Sequence, residues 1–203
     1  MAVKNHALDA RIVTAARAEF LEKGFRGASL QQIAARAELT TGALYTRYQG
    51  KDDLFCSLVR DVLEEAARLG QALYQPYMDA QQSGDPAKIL QVIRQEERVY
   101  QDLLFRYPDS CMLLFCRSSG SSLETQLETM MEEKAQSTVA YLKTLDRSQK
   151  LDLDGVELLI TSQFDFYRKL LEKHYDRDKA LRCLHTLECY MDAGWQALFE
   201  AIL

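Results

Sequence analysis

The chain has 203 residues, of which 47% are hydrophobic and 27% are charged, and its net charge is −5 at pH 7. These proportions exclude a disordered chain, and the length allows one domain or a small domain joined to a larger one. Three prolines and nine glycines are too few for the closely spaced turns of a many-stranded sandwich or barrel.

Hydropathy and cysteine usage bear on the location of the protein. No apolar stretch approaches the roughly 20 residues that cross a bilayer, and Met1 to His6 lack the apolar core of a secretion signal. We therefore expect a cytoplasmic protein without membrane contact. The five cysteines are odd in number and form no C-x-x-C pair, so we expect buried, reduced thiols and no metal site.

Charge is distributed unevenly along the chain. Residues 1–51 contain eight lysines and arginines and four acidic residues, a net charge of +4, so the remainder carries −9. A basic end on an acidic body is typical of a protein that touches nucleic acid at one end only. Chance clustering of charge is the competing explanation.

Apolar residues recur at intervals of three and four, with no sustained alternation at two, so the sequence predicts an all-α fold of about nine helices. Gly24 is the predicted C-terminal cap of the first helix. Ser29 with Gln32 is a capping-box pattern that opens the second helix. The first four helices are predicted over 7–23, 30–37, 40–48 and 51–78.

Five more helices are predicted in the rest of the chain. Asp85 followed by Pro86 is a strong helix start, and Pro108 ends that helix. Ser121 with Glu124 is a further capping-box pattern. These helices are predicted over 86–107, 109–117, 121–145, 154–174 and 178–202.

Residues 29–48 predict two short helices joined by a turn, with their apolar side chains facing inward, which is the pattern of a helix-turn-helix. Ala34 and Ala37 are small where the two helices cross. The second helix begins with hydroxyls followed by Gly42 and Ala43, whose size lets a helix N-terminus approach base edges. An ordinary hairpin inside a helical bundle has the same pattern, so both interpretations stand at this point.

A larger set of spaced residues makes the pattern specific. Over about residues 10–56 the chain resembles the N-terminal domain of the TetR/AcrR family of bacterial transcriptional regulators, through Phe20, Gly24, Phe25, Ser29, Ile33, Ala34, Ala37, Thr40, Gly42, Leu44, Tyr45, Tyr48, Lys51, Leu54 and Phe55. The resemblance implies a three-helix DNA-binding domain over 1–50 and a helical effector-binding and dimerisation domain over 51–203. It also implies a homodimer on a near-palindromic operator of double-stranded DNA.

Carried over by position, the resemblance implies which residues touch DNA. Ser29 and Lys51 would hold phosphates, Tyr45 would give its hydroxyl to a phosphate, and Arg47 would reach a guanine or a phosphate. Each has a plainer alternative role, such as a helix cap, a packing contact or a solvated charge. Glu38 occupies a turn position where the family commonly has glycine, which implies either a mildly strained backbone or a differently built turn. The residues expected at base edges or the DNA backbone are Thr40, Thr41, Gly42 and Ala43.

The last two helices carry apolar stripes at intervals of three and four. In the family these helices pair with their copies in a second subunit as a four-helix bundle. An intrachain core is the alternative role of the stripes. The residues expected at the dimer interface are Ile160, Leu184, Leu187, Met191, Trp195 and Leu198.

Aromatic rings, hydroxyls and sulfurs recur from the fifth to the eighth helix. They predict a cavity for a small, mostly apolar effector, or else a solid core. An effector there would favour a conformation whose half-site separation no longer fits the operator, so the predicted function is a ligand-responsive transcriptional repressor. The residues expected to line the cavity are Tyr100, Leu104, Phe105, Met112, Phe115, Cys116, Phe164 and Tyr167.

Three other functions compete with this prediction. An enzyme is disfavoured because the three histidines are scattered and no G-x-S-x-G, H-E-x-x-H or phosphate-loop motif occurs, so no catalytic residue and no cofactor is expected. A thiol-based redox-responsive DNA-binding regulator would use Cys111 with Cys116 or Cys183 with Cys189, whose spacings are poor for bridging within a helix. An interaction protein that binds no DNA is the third alternative.

Overall fold

A computed structural model describes residues 6–145 and 150–202, and this part of the chain contains nine α-helices and no strand. The all-α fold expected from the sequence is confirmed. The prediction made for Met1 to His6 concerns a segment that, apart from His6, lies outside the described residues. The helices are α1 (His6–Gly27), α2 (Leu30–Arg36), α3 (Thr41–Tyr45), α4 (Lys51–Ser83), α5 (Pro86–Arg106), α6 (Pro108–Cys116), α7 (Ser122–Leu142), α8 (Leu153–Glu172) and α9 (Arg177–Ile202).

Most helix ends fall within a few residues of the predicted ones. The carboxylate of Asp85 accepts the N–H of Ala87 at 2.9 Å, as expected of a cap followed by proline at the first helical position. The main difference is at α4, which continues to Ser83 and includes Pro76. A proline inside a helix removes one backbone hydrogen bond, and the helix continues past it.

Gly24 interrupts α1, as the sequence predicts. Its φ of 68° and ψ of 173° are open to glycine and costly for other residues, and the chain forms one further turn to Gly27. The N–H of Phe25 donates instead to the carbonyl of Arg117 at 2.8 Å. This bond fixes the kink of α1 to the residue that follows α6.

Neither predicted capping box forms in the expected way. Within the described residues the Ser29 side chain makes no capping bond, and the N–H of Ser29 donates to Glu19 at 3.3 Å. Glu124 accepts the N–H of Gly120 at 2.6 Å and not that of Ser121. The helix starts were predicted correctly. The spacing of Ser and Glu or Gln in the sequence does not decide which backbone N–H lies closest to the capping side chain.

The chain divides into two compact units. The first consists of Met1–Leu63 and Tyr107–Leu127, and its core is built around the rings of Phe20, Phe25 and Phe55. Phe55 meets the other two edge-on, with ring centroids 5.0 and 5.3 Å away, an arrangement that aromatic pairs favour. Helix α6 packs against α1 in this unit.

The second unit consists of Glu64–Arg106 and Glu128–Leu203. Its core joins α4, α5, α7, α8 and α9 through aliphatic side chains together with Trp195 and Phe199. The functional boundary predicted at residue 50 differs from this division by packing and stays a prediction.

Candidate functional site

Helices α2 and α3 form a helix-turn-helix. Ile33 and Ala34 of α2 and Leu44 of α3 are buried, so both short helices are held in the first unit by their inner faces. The inward-facing positions predicted for these three residues are therefore observed.

The turn between α2 and α3 contains a strained residue. Glu38 has a φ of 53°, a left-handed conformation that costs roughly 1–2 kcal/mol for a residue other than glycine. The guanidinium of Arg11 donates to the carbonyl of Ala37 and, at 2.9 Å, to the carboxylate of Glu38. The strain implied by the sequence is therefore present, and Arg11 of α1 holds the turn in place.

Helix α3 presents its first turn and its tyrosine to solvent. Thr40 caps the helix, because its Oγ1 accepts the N–H of Ala43 at 3.3 Å. Tyr45 is 58% exposed, Gly42 is exposed, and Thr41 and Ala43 are half-buried. The predicted base-reading residues thus share one accessible helix end, as a recognition helix requires.

Packing within the chain does not require glycine at position 42. Its φ lies outside the left-handed region, and a Cβ built on it meets, among the described residues, only Oγ1 of Thr40 at an ordinary contact distance of 3.8 Å. Glycine inside a helix costs roughly 0.5–1 kcal/mol relative to alanine. The absence of a side chain at this position therefore points to a surface that approaches from outside.

Two cations predicted to touch DNA are engaged within the chain. Nε of Arg47 lies 2.8 Å from the carboxylate of Asp9 in α1. The ammonium of Lys51 donates to the carbonyl of Ala28 at 3.2 Å and lies 4.6 Å from the centre of the Phe25 ring. Arg47 has to exchange its ion pair before it can hold a phosphate, whereas the ammonium of Lys51 has three N–H donors and can keep a bond to a carbonyl. Both roles stay predictions.

Glu19 is a residue of the DNA-binding domain that sequence reasoning missed. It is completely buried, and its Oε1 accepts from Lys23 at 2.9 Å and from the N–H of Ser29 at 3.3 Å. Its Oε2 lies 3.4 Å from Arg36, so the carboxylate joins α1 to both ends of α2. A signal was available: Glu19 follows Ala16 by three residues on the apolar face of the first helix, where a carboxylate needs partners.

Glu19 also changes what Ser29 can do. The N–H of Ser29 already faces a carboxylate of the same chain and is therefore not free for a phosphate. The half-buried hydroxyl of Ser29 is the group that remains for the predicted phosphate contact.

The stripe predicted to bind a second subunit is buried within the chain. Ile160, Leu184, Met191 and Trp195 are almost fully buried, and Leu187 and Leu198 pack against the same core. These four side chains belong to an intrachain core, which is the alternative role of the stripes, whereas Leu187 and Leu198 are half-buried. The interface role of the six residues stays a prediction.

The second unit contains a cavity of about 210 Å³, but none of the eight residues predicted for a cavity lines it. Three of them, Met112, Phe115 and Cys116, belong to the first unit. Carboxylates also take part in this lining, which the sequence did not lead us to expect. The rings and charged groups of the observed lining come from Tyr74, Tyr77, Glu96, Glu97, Lys134 and Trp195.

The thiols give little support to a redox function. The five cysteines form no disulfide in the described part of the chain. Burial raises the pKa of the Cys111 thiol to about 12 and also raises the pKa of Cys56, so neither forms a ready thiolate at neutral pH. Cys111, one half of the predicted pair with Cys116, is thus poorly suited to redox chemistry.

Residues 12–58 match the sequence model of a family described as bacterial regulatory proteins, tetR family. Residues 12–58 therefore form a domain of the tetR-family type. The match covers the helix-turn-helix and the beginning of α4, about a quarter of the chain, and it coincides with the resemblance seen over residues 10–56. No curated protein matches the chain.

Solved structures extend the likeness along the chain. A TetR-like transcriptional regulator from Rhodococcus sp. RHA1 is 20% identical, with a TM-score of 0.58 over 95% of this chain and 99% of that one. NalD, the secondary repressor of the MexAB-OprM multidrug efflux pump in Pseudomonas aeruginosa, is 19% identical, with a TM-score of 0.54 over 91% and 95%. FadR of Bacillus halodurans, a fatty acid degradation regulator, is 16% identical, with a TM-score of 0.50 over 88% and 96%. At these identities the likeness establishes the fold.

The family match supports a DNA-binding helix-turn-helix of a transcription regulator in residues 12–58, and the solved structures show the fold of the helical C-terminal part. Regulators of this family typically dimerise and are generally not enzymes. Over the described ranges no helix is long and apolar enough to cross a membrane, and no three His, Cys, Asp or Glu side chains are grouped to hold a metal ion.

Proposed function

We propose that this chain is a ligand-responsive repressor in the cytoplasm, which binds a near-palindromic operator as a homodimer and leaves it when a small effector binds. The observation that carries the proposal is the accessible start of α3, where Gly42 has room for a side chain that it lacks. Residues 1–50 are proposed to bind DNA, and residues 51–203 to bind the effector and dimerise.

The proposed DNA contacts follow from what each group can offer. The hydroxyl of Thr41 and the bare backbone at Gly42 suit base edges, and the exposed hydroxyl of Tyr45 suits a phosphate. A partly exposed ion pair such as that of Arg47 contributes about 1 kcal/mol or less, so its exchange for a phosphate is cheap. Lys51 has three N–H donors and can hold a phosphate while keeping a bond to a carbonyl.

The exposed faces of α8 and α9 support a homodimer. Leu158 of α8 is 70% exposed and Tyr190 of α9 is 69% exposed, and exposed large apolar side chains are available for an interaction site. Gly194 follows Tyr190 by one helical turn, and in the described structure a Cβ built there meets nothing within 4 Å. A helix of a second copy can therefore approach closely at Gly194, and these three residues replace the buried stripe as the proposed interface.

Repression of transcription and release from the operator are the regulatory parts of the proposal. NalD, which shares the fold, is a repressor, and we extend that role to this chain. A ligand that binds one conformation better than another shifts the population toward it. We propose that the cavity of the second unit selects a conformation whose half-site separation no longer fits the operator.

The test of DNA binding is selection of duplexes from a random library with the full-length protein, followed by fluorescence anisotropy on the enriched sequence. We expect a near-palindrome whose affinity falls as salt rises. Tyr45→Phe should weaken binding about tenfold, the value of a hydrogen bond to a charged group. Tyr175→Phe, at another exposed tyrosine, should leave it unchanged. No enriched sequence, or equal losses in both variants, would contradict the proposal.

The homodimer is tested by sedimentation of matched charge variants. Tyr190→Glu places a carboxylate in the proposed interface and should convert the dimer to monomer, with operator affinity reduced at least about tenfold. Tyr175→Glu introduces the same charge at an exposed tyrosine outside that face and should remain dimeric. A dimer that survives Tyr190→Glu places the interface elsewhere.

A further inference from the structure

The cavity of the second unit combines aromatic rings with ionisable groups. Tyr77 and Trp195 contribute rings, and Tyr74, which is largely exposed, stands where the lining meets solvent. The volume of about 210 Å³ is below the roughly 300–1,000 Å³ of sites for drug-sized ligands. A ligand that fits this cavity is therefore small.

The charges of the cavity lining do not cancel. Nζ of Lys134 lies 2.9 Å from Glu96, so these two groups neutralise each other. Glu97 has no ion pair among the residues that the structure describes, and its carboxylate accepts one hydrogen bond, from Nε2 of Gln163 at 3.1 Å. The lining thus keeps one uncompensated negative charge, at Glu97.

Other cations near Glu97 along α5 are already paired. Arg94 lies 2.7 Å from Asp192, and Arg98 lies 3.2 Å from Glu188. Burial raises the pKa of Glu97, and the neighbouring charge of Lys134 acts in the opposite direction, as expected of a carboxylate that is drawn out of water without an ion-pair partner of its own. A positive charge brought from outside would find a partner here.

An organic cation has two favourable interactions in this cavity. Aromatic rings attract a cation through their quadrupoles, and Tyr77 and Trp195 contribute rings to the lining. The charge of Glu97 attracts a cation through a partly buried, weakly screened environment. The chain itself shows the first interaction nearby, since Nζ of Lys134 lies 5.6 Å from the centre of the Tyr100 ring.

We propose that the cavity binds a small organic cation, an ammonium group attached to an aromatic or aliphatic body, with Glu97 as its counter-ion. An anionic ligand would place its charge beside Glu97, and a neutral one would leave Glu97 buried without a counter-charge. That this cation is the effector which releases DNA rests on the proposed function. Its binding to the cavity does not.

The test compares benzyltrimethylammonium with neopentylbenzene, which has the same shape without the charge. Trp195 is the single tryptophan of the chain and lines the cavity, so its fluorescence reports binding to the full-length protein. We expect the cation to bind at least about tenfold more tightly than the neutral isostere. Glu97→Gln should abolish this preference without changing the affinity of the isostere. Glu132→Gln, at an exposed carboxylate of α7, should preserve it.

A second variant distinguishes a change in the electrostatics of the cavity from a loss of folding. Lys134→Gln removes the positive charge from the lining and frees Glu96, so the affinity for benzyltrimethylammonium should rise about threefold or more. A damaged protein does not bind a ligand more tightly. Weaker binding of the cation by Lys134→Gln would overturn the electrostatic argument.

Other outcomes separate this inference from the proposed function. Equal binding of the two isosteres, tighter binding of 3-phenylpropanoate, or a preference that survives Glu97→Gln would overturn the inference. Operator binding measured on the same preparations tests the proposed function by itself. A Glu97-dependent cation site in a protein without operator binding would refute only that function. A cation that binds without changing operator affinity would refute its role as effector.

Discussion

Each unit of the molecule contains a carboxylate that is drawn out of water, fully buried at Glu19 and partly buried at Glu97, and the two carboxylates differ in their partners. In the first unit, Glu19 is inaccessible to water and meets Lys23, Arg36 and a backbone N–H within 3.4 Å. In the second unit, Glu97 lines a cavity and accepts one bond, from the amide of Gln163. A charge with several partners holds together the helices that supply those partners. A charge without a counter-charge favours the binding of a group that carries the opposite charge.

The difference corresponds to what each unit is proposed to do. A DNA-reading unit gains from helices held at fixed angles, and Glu19 ties α1 to α2 next to the recognition helix. A sensing unit gains from a site that is more favourable occupied than empty, because only differential binding shifts a conformational equilibrium. Four variants test this contrast, and they follow from the largest expected effect to the smallest.

Replacing Glu19 should have the largest effect. Glu19→Ala leaves Lys23 and Arg36 without their shared partner and creates a cavity beside α1. We therefore expect the free energy of unfolding, measured by urea denaturation, to fall by about 3 kcal/mol. Glu22→Ala is the control, since Glu22 is an exposed acid 2.5 Å from the same Arg36 and should change stability little. An equal loss in both variants would remove the special role of the buried carboxylate.

Gly42→Ala should move stability and DNA binding in opposite directions. The methyl group fits within the chain and adds roughly 0.5–1 kcal/mol of stability, but it meets the DNA surface and should lower operator affinity about tenfold. Thermal unfolding and anisotropy on one preparation measure both quantities. The gain in stability excludes misfolding as the cause of weaker binding, and unchanged affinity would show that α3 does not approach the bases at this point.

Asp9→Asn should strengthen DNA binding. The change removes a negative charge from the DNA-facing unit and frees Arg47, so operator affinity should rise about threefold and the salt dependence should steepen by about one phosphate contact. Asp61→Asn, at an exposed acid of α4, is the matched control. If Asp9→Asn and Asp61→Asn bind the operator with the same affinity, Arg47 does not contact a phosphate in the complex.

Glu97→Gln should have the smallest effect on stability, with a sign opposite to that at Glu19. Burial raises the pKa of Glu97, so the ionised carboxylate opposes folding above that pKa, and the amide should leave stability unchanged or raise it by less than about 1 kcal/mol. Urea denaturation at pH 7 measures the change. A clear loss of stability would mean that Glu97 is a structural group like Glu19.

The first unit was more predictable than the second because its signals are local. Gly24 ends a helix through its own backbone, Thr40 caps α3 through a residue three positions away, and Glu38 takes the strained conformation expected at its place in the turn. The cavity of the second unit has a different lining from the predicted one, because the sequence does not show on which side of its helix each aromatic of the fifth to eighth helices lies. Met112 and Phe115 belong to the first unit, while Tyr74 and Tyr77 of α4 line the cavity.

The sequence by itself determined nine helices, their approximate ends and the accessible helix-turn-helix, since periodicity, caps and prolines act over a few residues. Only the tertiary structure decided which face of α9 is buried, because apolar side chains occur on both: Trp195 faces the core and Tyr190 faces water. It also decided the partners of charged groups, since Asp9 and Arg47 are 38 positions apart and Glu97 and Gln163 are 66 apart. Pairs at such separations are set by how the helices pack, which no local pattern encodes.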